Sequence, residues 1–514
     1  MLLWFFIYVN RVKLQPLKRT PVILALTVLV FVCGVRLLPW DVLETLERST
    51  YDLRARAALK FPAPIAGNLG LVTMEDSSIA AVKNDEVLKY HYGLYWPRLI
   101  YGHLIEELAA QGAKAVAFDI LFGELREDHP LVALPQGGYV ESDEFFAMQA
   151  RQAGNVLIAA TPELTPPDLF RTNTLALGDV TTEKDADGKL RRVRAFHQVR
   201  RWHPLFCRAA ADPDIQADLA RAQFQPGKIL LPQTGSTNVI TVPLDADGNF
   251  ALADFLGDTL PPGAAPRARA FTDETFWQMG IVLAAQALKL DLINAVVDLP
   301  HGCITLHGSR GVERVIPVDA NGYFYVDWRI TPDNPRITKA PIEALLRQDQ
   351  HRRAGETNGL RDDFRGKLIV VGSAAQGNDL TDRGATPLEN DTLLCSTYWN
   401  VANSVLTGQF IHRTPLSVEL GIICLLGLAV GWVTWQMRAR IIYASLTVLG
   451  LGLAYLATGF FAYIAWRWWL PLVYPLAGAM LVEHGLLVVY LVMIEQREKR
   501  RVKSVFSKMV SRRW

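Results

Sequence analysis

The 514-residue chain carries a formal net charge of +2, and half of its residues are hydrophobic. A balance so near neutral argues against nucleic acid as the main partner. Positive mean hydropathy is rare in soluble domains and points to the membrane, and the length accommodates roughly two to four domains.

Residues 1–20 read as a short cytoplasmic segment, and residues 21–40, PVILALTVLVFVCGVRLLPW, as a transmembrane anchor interrupted only by Arg36, whose side chain can snorkel to the headgroups. A span needs about 20 apolar residues. No A-x-A site follows, and Val32 before Cys33 does not suit lipoprotein cleavage, so the anchor is expected to be retained.

Residues 41–415 are expected to form one α/β domain, with a mainly parallel core sheet and antiparallel hairpin additions. In WPRLIYGHLIEELAAQGAKAVAFDILFGE, Leu99, Ile100, Leu104, Ile105 and Leu108 recur at helical spacing, and Gly112 ends that helix. The apolar run Ala115 to Phe118 then reads as a strand buried on both faces, delivering Asp119 at its end. NVLIAA and GKLIVVGSAAQG repeat the pattern. The motif D-A-[DN]-G occurs at Asp185 to Gly188, Asp245 to Gly248 and Asp319 to Gly322. Its glycine comes too early for a calcium loop, so hairpin turns are predicted, with Asn321-Gly322 supplying positive φ angles. His301, Cys303 and His307 have a spacing that suits zinc, but an exposed edge strand is the simpler reading, and no metal is predicted.

Gly372 to Gly377 mimics a phosphate loop, yet Asn378 and Asp379 stand where lysine and Ser/Thr belong. Ser373 lacks a G-x-S-x-G elbow. No catalytic residue and no cofactor is expected. Crevices in open α/β sheets form at the carboxyl ends of the strands, which makes Trp96, Arg98, Asp119, Gly372, Ser373 and Asp382 the candidate ligand-binding residues. The structural alternatives are that Asp119 caps a turn, Arg98 pairs with it, and Trp96 is core. Cys207, Cys303 and Cys395 allow at most one disulfide in the domain.

Three more spans are predicted at 416–435, 441–466 and 468–494, followed by a basic tail, 495–514. Gly450, Ala454 and Thr458 form a strip of small residues on which a helix can pack closely. Glu483 and His484 are ionisable at membrane depth, and because neighbours on a helix point apart, each needs its own partner. Helix packing is the bland role for them, and proton-linked signal coupling the sharper one. Basic flanks set the orientation: Arg11, Lys13, Lys18 and Arg19 before the first span, Arg438 and Arg440 between the second and third, and Arg497, Lys499, Arg500, Arg501 and Lys503 after the fourth. Both termini are then cytoplasmic and residues 41–415 extracytoplasmic, in a multi-pass protein of the cell (inner) membrane.

LVTMEDSSI, the Trp96 to Arg98 WPR, GAKAVAFDILF, VIPVDANGYFYVDWR and FRGKLIVVGSAA with DRGATPL resemble the type-2 CHASE domain, a sensory module associated with nucleotide cyclases and histidine kinases. The resemblance implies an extracytoplasmic sensor in signal transduction, a small-molecule or protein stimulus, three helices behind the domain, and a cytoplasmic output module. TPLENDTLLCSTYWNVANSVL departs from the family in lacking its Gly-Val-x-x-His-Ala stretch. Only twenty residues follow Ile494, too few for a catalytic domain. The chain is thus expected to be a sensor without its own output domain, not itself an enzyme, working with a cytoplasmic partner. The alternative is the amino-terminal part of a receptor adenylate or guanylate cyclase, interrupted by truncation or frameshift.

The resemblance also implies a homodimer. Val502, Val505, Phe506 and Met509 recur at i, i+3, i+4 and i+7 on a basic helix, but so short a stripe holds no dimer alone and equally suits anionic lipid. Cross-linking in membranes is therefore expected to retain the dimer after removal of residues 495–514; its loss would transfer dimerisation to the tail.

Overall fold

The computed structural model describes residues 20–38, 41–86, 88–134, 137–256 and 265–510, without the side chains of Asp41, Glu495, Glu498, Lys499 and 501–510. Arg11, Lys13, Lys18 and Arg19, the side chains of Lys499, Arg501 and Lys503, and the stripe Val502, Val505, Phe506 and Met509 lie outside the described side chains.

Six parallel strands form the central sheet: β1 (Leu69–Met74), β2 (Ala115–Phe118), β3 (Val156–Ala160), β4 (Ala176–Asp179), β5 (Thr338–Pro341) and β6 (Leu368–Ser373). Their spatial order is β5-β1-β6-β2-β3-β4, so the last strand in sequence inserts between β1 and β2 at the centre. The helix Arg98–Ala110 stops as expected: Gly112 takes φ 80° and the Ala113 N–H reaches back to the Leu108 carbonyl.

Strand periodicity divides the sheet into two faces. Val72, Val116, Phe118, Ile158, Ile369 and Val371 pack under the helices Arg98–Ala110, Ser142–Ala153 and Ile342–Arg353. The other face is smaller in side-chain volume, with Ala115, Ala117 and Ala159, and lets the helices Met279–Leu288 and Ser396–Thr407 come close. A Cβ on Gly178 would lie 2.3 Å from Met279 Sδ, and one on Gly280 would lie 2.4 Å from the Tyr398 carbonyl oxygen. Bare backbone at these two positions sets the layer spacing.

Between β4 and β5 the chain makes an antiparallel excursion that includes two three-stranded sheets and a satellite core around Phe206, Ile229, Leu231 and Phe250. The three D-A-[DN]-G turns are tight, each with its glycine at positive φ, but the strands that flank Asn321-Gly322 do not pair with each other. There Glu313–Pro317 pairs with Cys303–His307, while Tyr323–Tyr325 pairs with Arg192–Arg194. Asn321 does not share the positive φ of Gly322, so the turn lacks the two left-handed residues of the predicted hairpin and instead passes the chain from one sheet to another.

Among the described residues, four helices are long and apolar enough to cross a membrane: Thr20–Leu37, Leu416–Gln436, Ile441–Trp466 and Tyr474–Ile494, the first to fourth spans. The fourth begins later than predicted because Trp468–Trp469 is extended and pairs with His412–Arg413, and Pro471 follows. Its first part, Tyr474–Val482, is π-helical, and the helix continues from Glu483 to Val510. The strip Gly450, Ala454, Thr458 is exposed. Close approach is made elsewhere, where Gly427 of the second span and Gly478 of the fourth face Leu29 and Val32 of the first.

The α/β domain is fastened to these helices. Tyr51, on the helix Asp41–Ala58, donates to the Val326 carbonyl and packs against Tyr463 and Trp469 at the end of the third span. Asp327 lies between two arginines, Arg329 Nε at 3.1 Å and Arg467 Nε at 3.0 Å, all three buried. Arg329 also donates to the carbonyls of Ala58 and Ile464. Glu47 accepts from the backbone N–H of Leu472 and Val473 just before the fourth span, where a carboxylate complements the helix start.

Removing one member of a buried ion pair strands the others, at a cost of about 3–5 kcal/mol. Asp327→Asn is expected to lower the melting midpoint of the full chain markedly, whereas Asp273→Asn, which breaks the exposed Arg200–Asp273 pair, is expected to cost under about 1 kcal/mol. Thermal denaturation of both variants in detergent checks this.

Candidate functional site

The carboxyl ends of β2 and β6 lie side by side, and the Asp119 N–H donates to the Val371 carbonyl. Asp119 therefore leaves its strand next to Gly372 and Ser373. The loop after β6 brings Asp382 to the same place. The polar neighbours of Asp119 are the Tyr398 hydroxyl and the Asp382 carboxyl; those of Asp382 include the Cys395 backbone N–H and Lys184. Gly372 leaves room for Cys395 here, because a Cβ would lie 2.8 Å from Cys395 Cβ and 3.0 Å from its Sγ.

Burial and then the neighbouring Asp382 push the Asp119 carboxyl well above the usual carboxylate range. Burial likewise raises Asp382, against the opposing effects of Asp119, the Cys395 backbone N–H and Lys184. Two neighbouring carboxyls cannot both ionise cheaply, so the titrations of Asp119 and Asp382 are linked. Burial, with the two acids, keeps the Cys395 thiol and the Tyr398 phenol protonated. Such a cluster suits binding a ligand that donates hydrogen bonds or carries positive charge.

Of the six candidate binding residues, Asp119, Gly372, Ser373 and Asp382 come together, and Trp96 and Arg98 do not join them. Trp96 is core, 6.0 Å from the Tyr101 ring. Arg98 stands 3.9 Å from Asp143 and over the Phe122 ring, so its partner is Asp143 rather than Asp119. The Ser373 hydroxyl accepts from the Ala375 N–H, a turn contact. Sequence reasoning missed Tyr398, Cys395 and Lys184, and the loop anchors Asp76, which holds Asn378, and Tyr95, which donates to Asp379 at 2.6 Å. A signal existed in LLCSTYWN, where polar residues open a helix of which Ser396 to Val405 are all buried.

That helix connects the acid pair to the membrane junction. Two residues beyond Tyr398, Asn400 Oδ1 accepts from the N–H groups of Arg329 and Ile330, and its amide donates to the Ile330 carbonyl, as does Trp399 Nε1. Arg329 is a partner of Asp327.

The His301, Cys303, His307 group does not close: His301 pairs with Asp298 and His307 with Glu313. Cys303–His307 is the central strand of its sheet rather than an edge. His103, Glu106 and Asp349 do have ligand atoms within 4.8 Å of one another, but Arg353 Nε is 2.8 Å from Asp349 and already supplies the compensating charge. All five cysteines are free.

In the spans, His484 finds partners: Thr434 Oγ1 at 2.8 Å and Ser445 Oγ at 3.0 Å, on the second and third spans. Glu483 is fully buried against Gly427 and Gly431, 2.8 Å from where a Cβ on either would stand, and neither carboxyl oxygen has a hydrogen-bond partner among the described residues. The expectation that each residue has its own partner holds for His484 alone.

The family model of the CHASE2 domain matches residues 26–433, most of the chain, so this protein belongs to the CHASE2 family, a sensory rather than catalytic domain. No curated protein and no solved structure matches it. The match begins inside the first span and ends inside the second, which agrees with a domain fastened to its helices.

The raised acid pair has a pH consequence. A carboxyl that binds its proton more tightly when folded stabilises the fold at low pH, and this is lost as pH rises from the unfolded value of about 4 towards the folded one. Melting midpoints of the wild-type chain are expected to fall between about pH 5 and pH 8, and Asp119→Asn, a permanently neutral mimic, is expected to flatten that slope. An unchanged slope would show that the pair is not the titrating group.

Proposed function

We propose that the chain is a membrane-anchored sensor whose α/β domain is extracytoplasmic, with both termini in the cytoplasm of a cell bounded by this inner membrane. Its stimulus binds at the carboxyl end of the sheet around Asp119 and Asp382, and the change passes to the fourth span. The observation that carries this reading is the buried Asp327–Arg467 pair. It makes the domain and the hairpin between the third and fourth spans one mechanical unit, linked to the acid pair through Tyr398 and Asn400. Because the fourth span continues as helix to Val510, any tilt or rotation imposed at Glu47 and Arg467 is delivered beyond the span, where an output partner or module would receive it. The chain itself supplies sensing and transmission, not chemistry.

The orientation is tested with the native thiols. Cys207 is exposed on the domain and Cys395 buried in it. A membrane-impermeant maleimide is expected to label Cys207 in intact spheroplasts. Labelling that requires lysis would invert the topology and end the proposal.

A further inference from the structure

The helix Asp41–Ala58 has one face that none of the described residues covers. Val42 is 73% exposed, Leu46 49% and Leu53 54%, and with Ser49 and Arg56 they repeat every three or four residues along one side. The other sides are occupied in a telling order. Glu44 pairs with Arg413 at 2.7 Å just before the second span. Glu47 receives the N–H groups at the start of the fourth, and Tyr51 packs on Tyr463 and Trp469 at the end of the third. Arg54 donates to the Leu470 carbonyl at 2.8 Å. Along its length the helix thus crosses the ends of three spans. The α/β domain covers it from the far side, where Asp52 accepts from Arg191 and Lys189.

With spans on one side and domain on the other, the exposed face looks outward at the level where the spans end. That level is marked independently. Trp466 and Trp468 are 63% and 42% exposed at the end of the third span, the position at which tryptophans of membrane proteins meet the headgroups. Trp469, adjacent to both, is the residue Tyr51 touches at 5.2 Å. Leu46 and Leu53 flank Tyr51 on the same helix and therefore lie at the depth of this aromatic belt.

We propose that the Asp41–Ala58 helix is an interfacial membrane-binding element, with Val42, Leu46 and Leu53 inserted at the headgroup and acyl boundary of the leaflet on the α/β-domain side. An apolar stripe on a helix lying along the bilayer surface is favoured there by burial of its apolar area. The same helix carries Glu47, Tyr51, Asp52 and Arg54 of the junction, so the lipid surface holds the element through which domain and spans are joined. The inference does not depend on which side of the membrane the domain occupies or on ligand binding at Asp119.

The test is hydroxyl-radical footprinting of the full chain in nanodiscs of phosphatidylethanolamine and phosphatidylglycerol, loaded at one chain per disc so that a second copy is excluded. Val239, 52% exposed on the antiparallel excursion, is the reference, because its exposure matches that of Leu46 and Leu53. The expected result is oxidation of Leu46 and Leu53 several-fold slower than of Val239. Comparable rates overturn the proposal. Benzophenone-phenylalanine placed at Leu53 or at Val42 in the same discs gives a second reading that survives the failure of either variant. Phospholipid adducts are expected. If adducts form only at higher loading, and join two chains, the face is a dimer contact and the lipid reading fails.

Discussion

Everything in this molecule hangs on burying Asp327 between Arg329 and Arg467 where the α/β domain meets the spans. Charges removed from water are costly and are kept only with complete partners, and here the arginines spend their remaining donors on the Ala58 and Ile464 carbonyls. Arg467 has a further constraint: it ends the third span at φ 59°, so the residue that reverses the chain is also the one held by Asp327. A tether would leave the domain free to tumble. This arrangement does not.

The sheet's architecture makes that anchorage consequential. Alanine and glycine on one face of the sheet let the helix Ser396–Thr407 lie close, and that helix presents Tyr398 to the acid pair and Asn400 to the backbone beside Asp327. Polar contacts so placed are directional, and a change in one alters the geometry available to the next. The hydrophobic core between them is continuous, running from Leu69 and Ala117 in the sheet to Tyr463 and Trp469 at the membrane. Domain and membrane helices share one core instead of owning two.

Within the spans the packing is governed by small residues, as expected where lipid removes the hydrophobic drive between helices. Gly427 admits both Leu29 and the Glu483 side chain. His484, one residue on, is turned to a different pair of helices and held through both ring nitrogens. The π-helical stretch ending at Val482 directly precedes them, a geometry that recurs at functional positions in helices.

The sequence by itself determined what depends on local pattern: four apolar stretches of spanning length, the buried strands Ala115–Phe118, Val156–Ala160 and Leu368–Ser373, and the Asp119 carboxylate at a strand end. Periodicity and turn chemistry act over a few residues, and there they suffice. Long-range pairing is different. That Asp382 meets Asp119, that Arg98 turns to Asp143, that Tyr323–Tyr325 crosses to Arg192–Arg194 and that Arg467 closes on Asp327 are decided by where the chain's crossovers carry segments distant in sequence. No local spacing encodes those meetings, because they are set by the strand order β5-β1-β6-β2-β3-β4 and by the need of each buried charge for a partner.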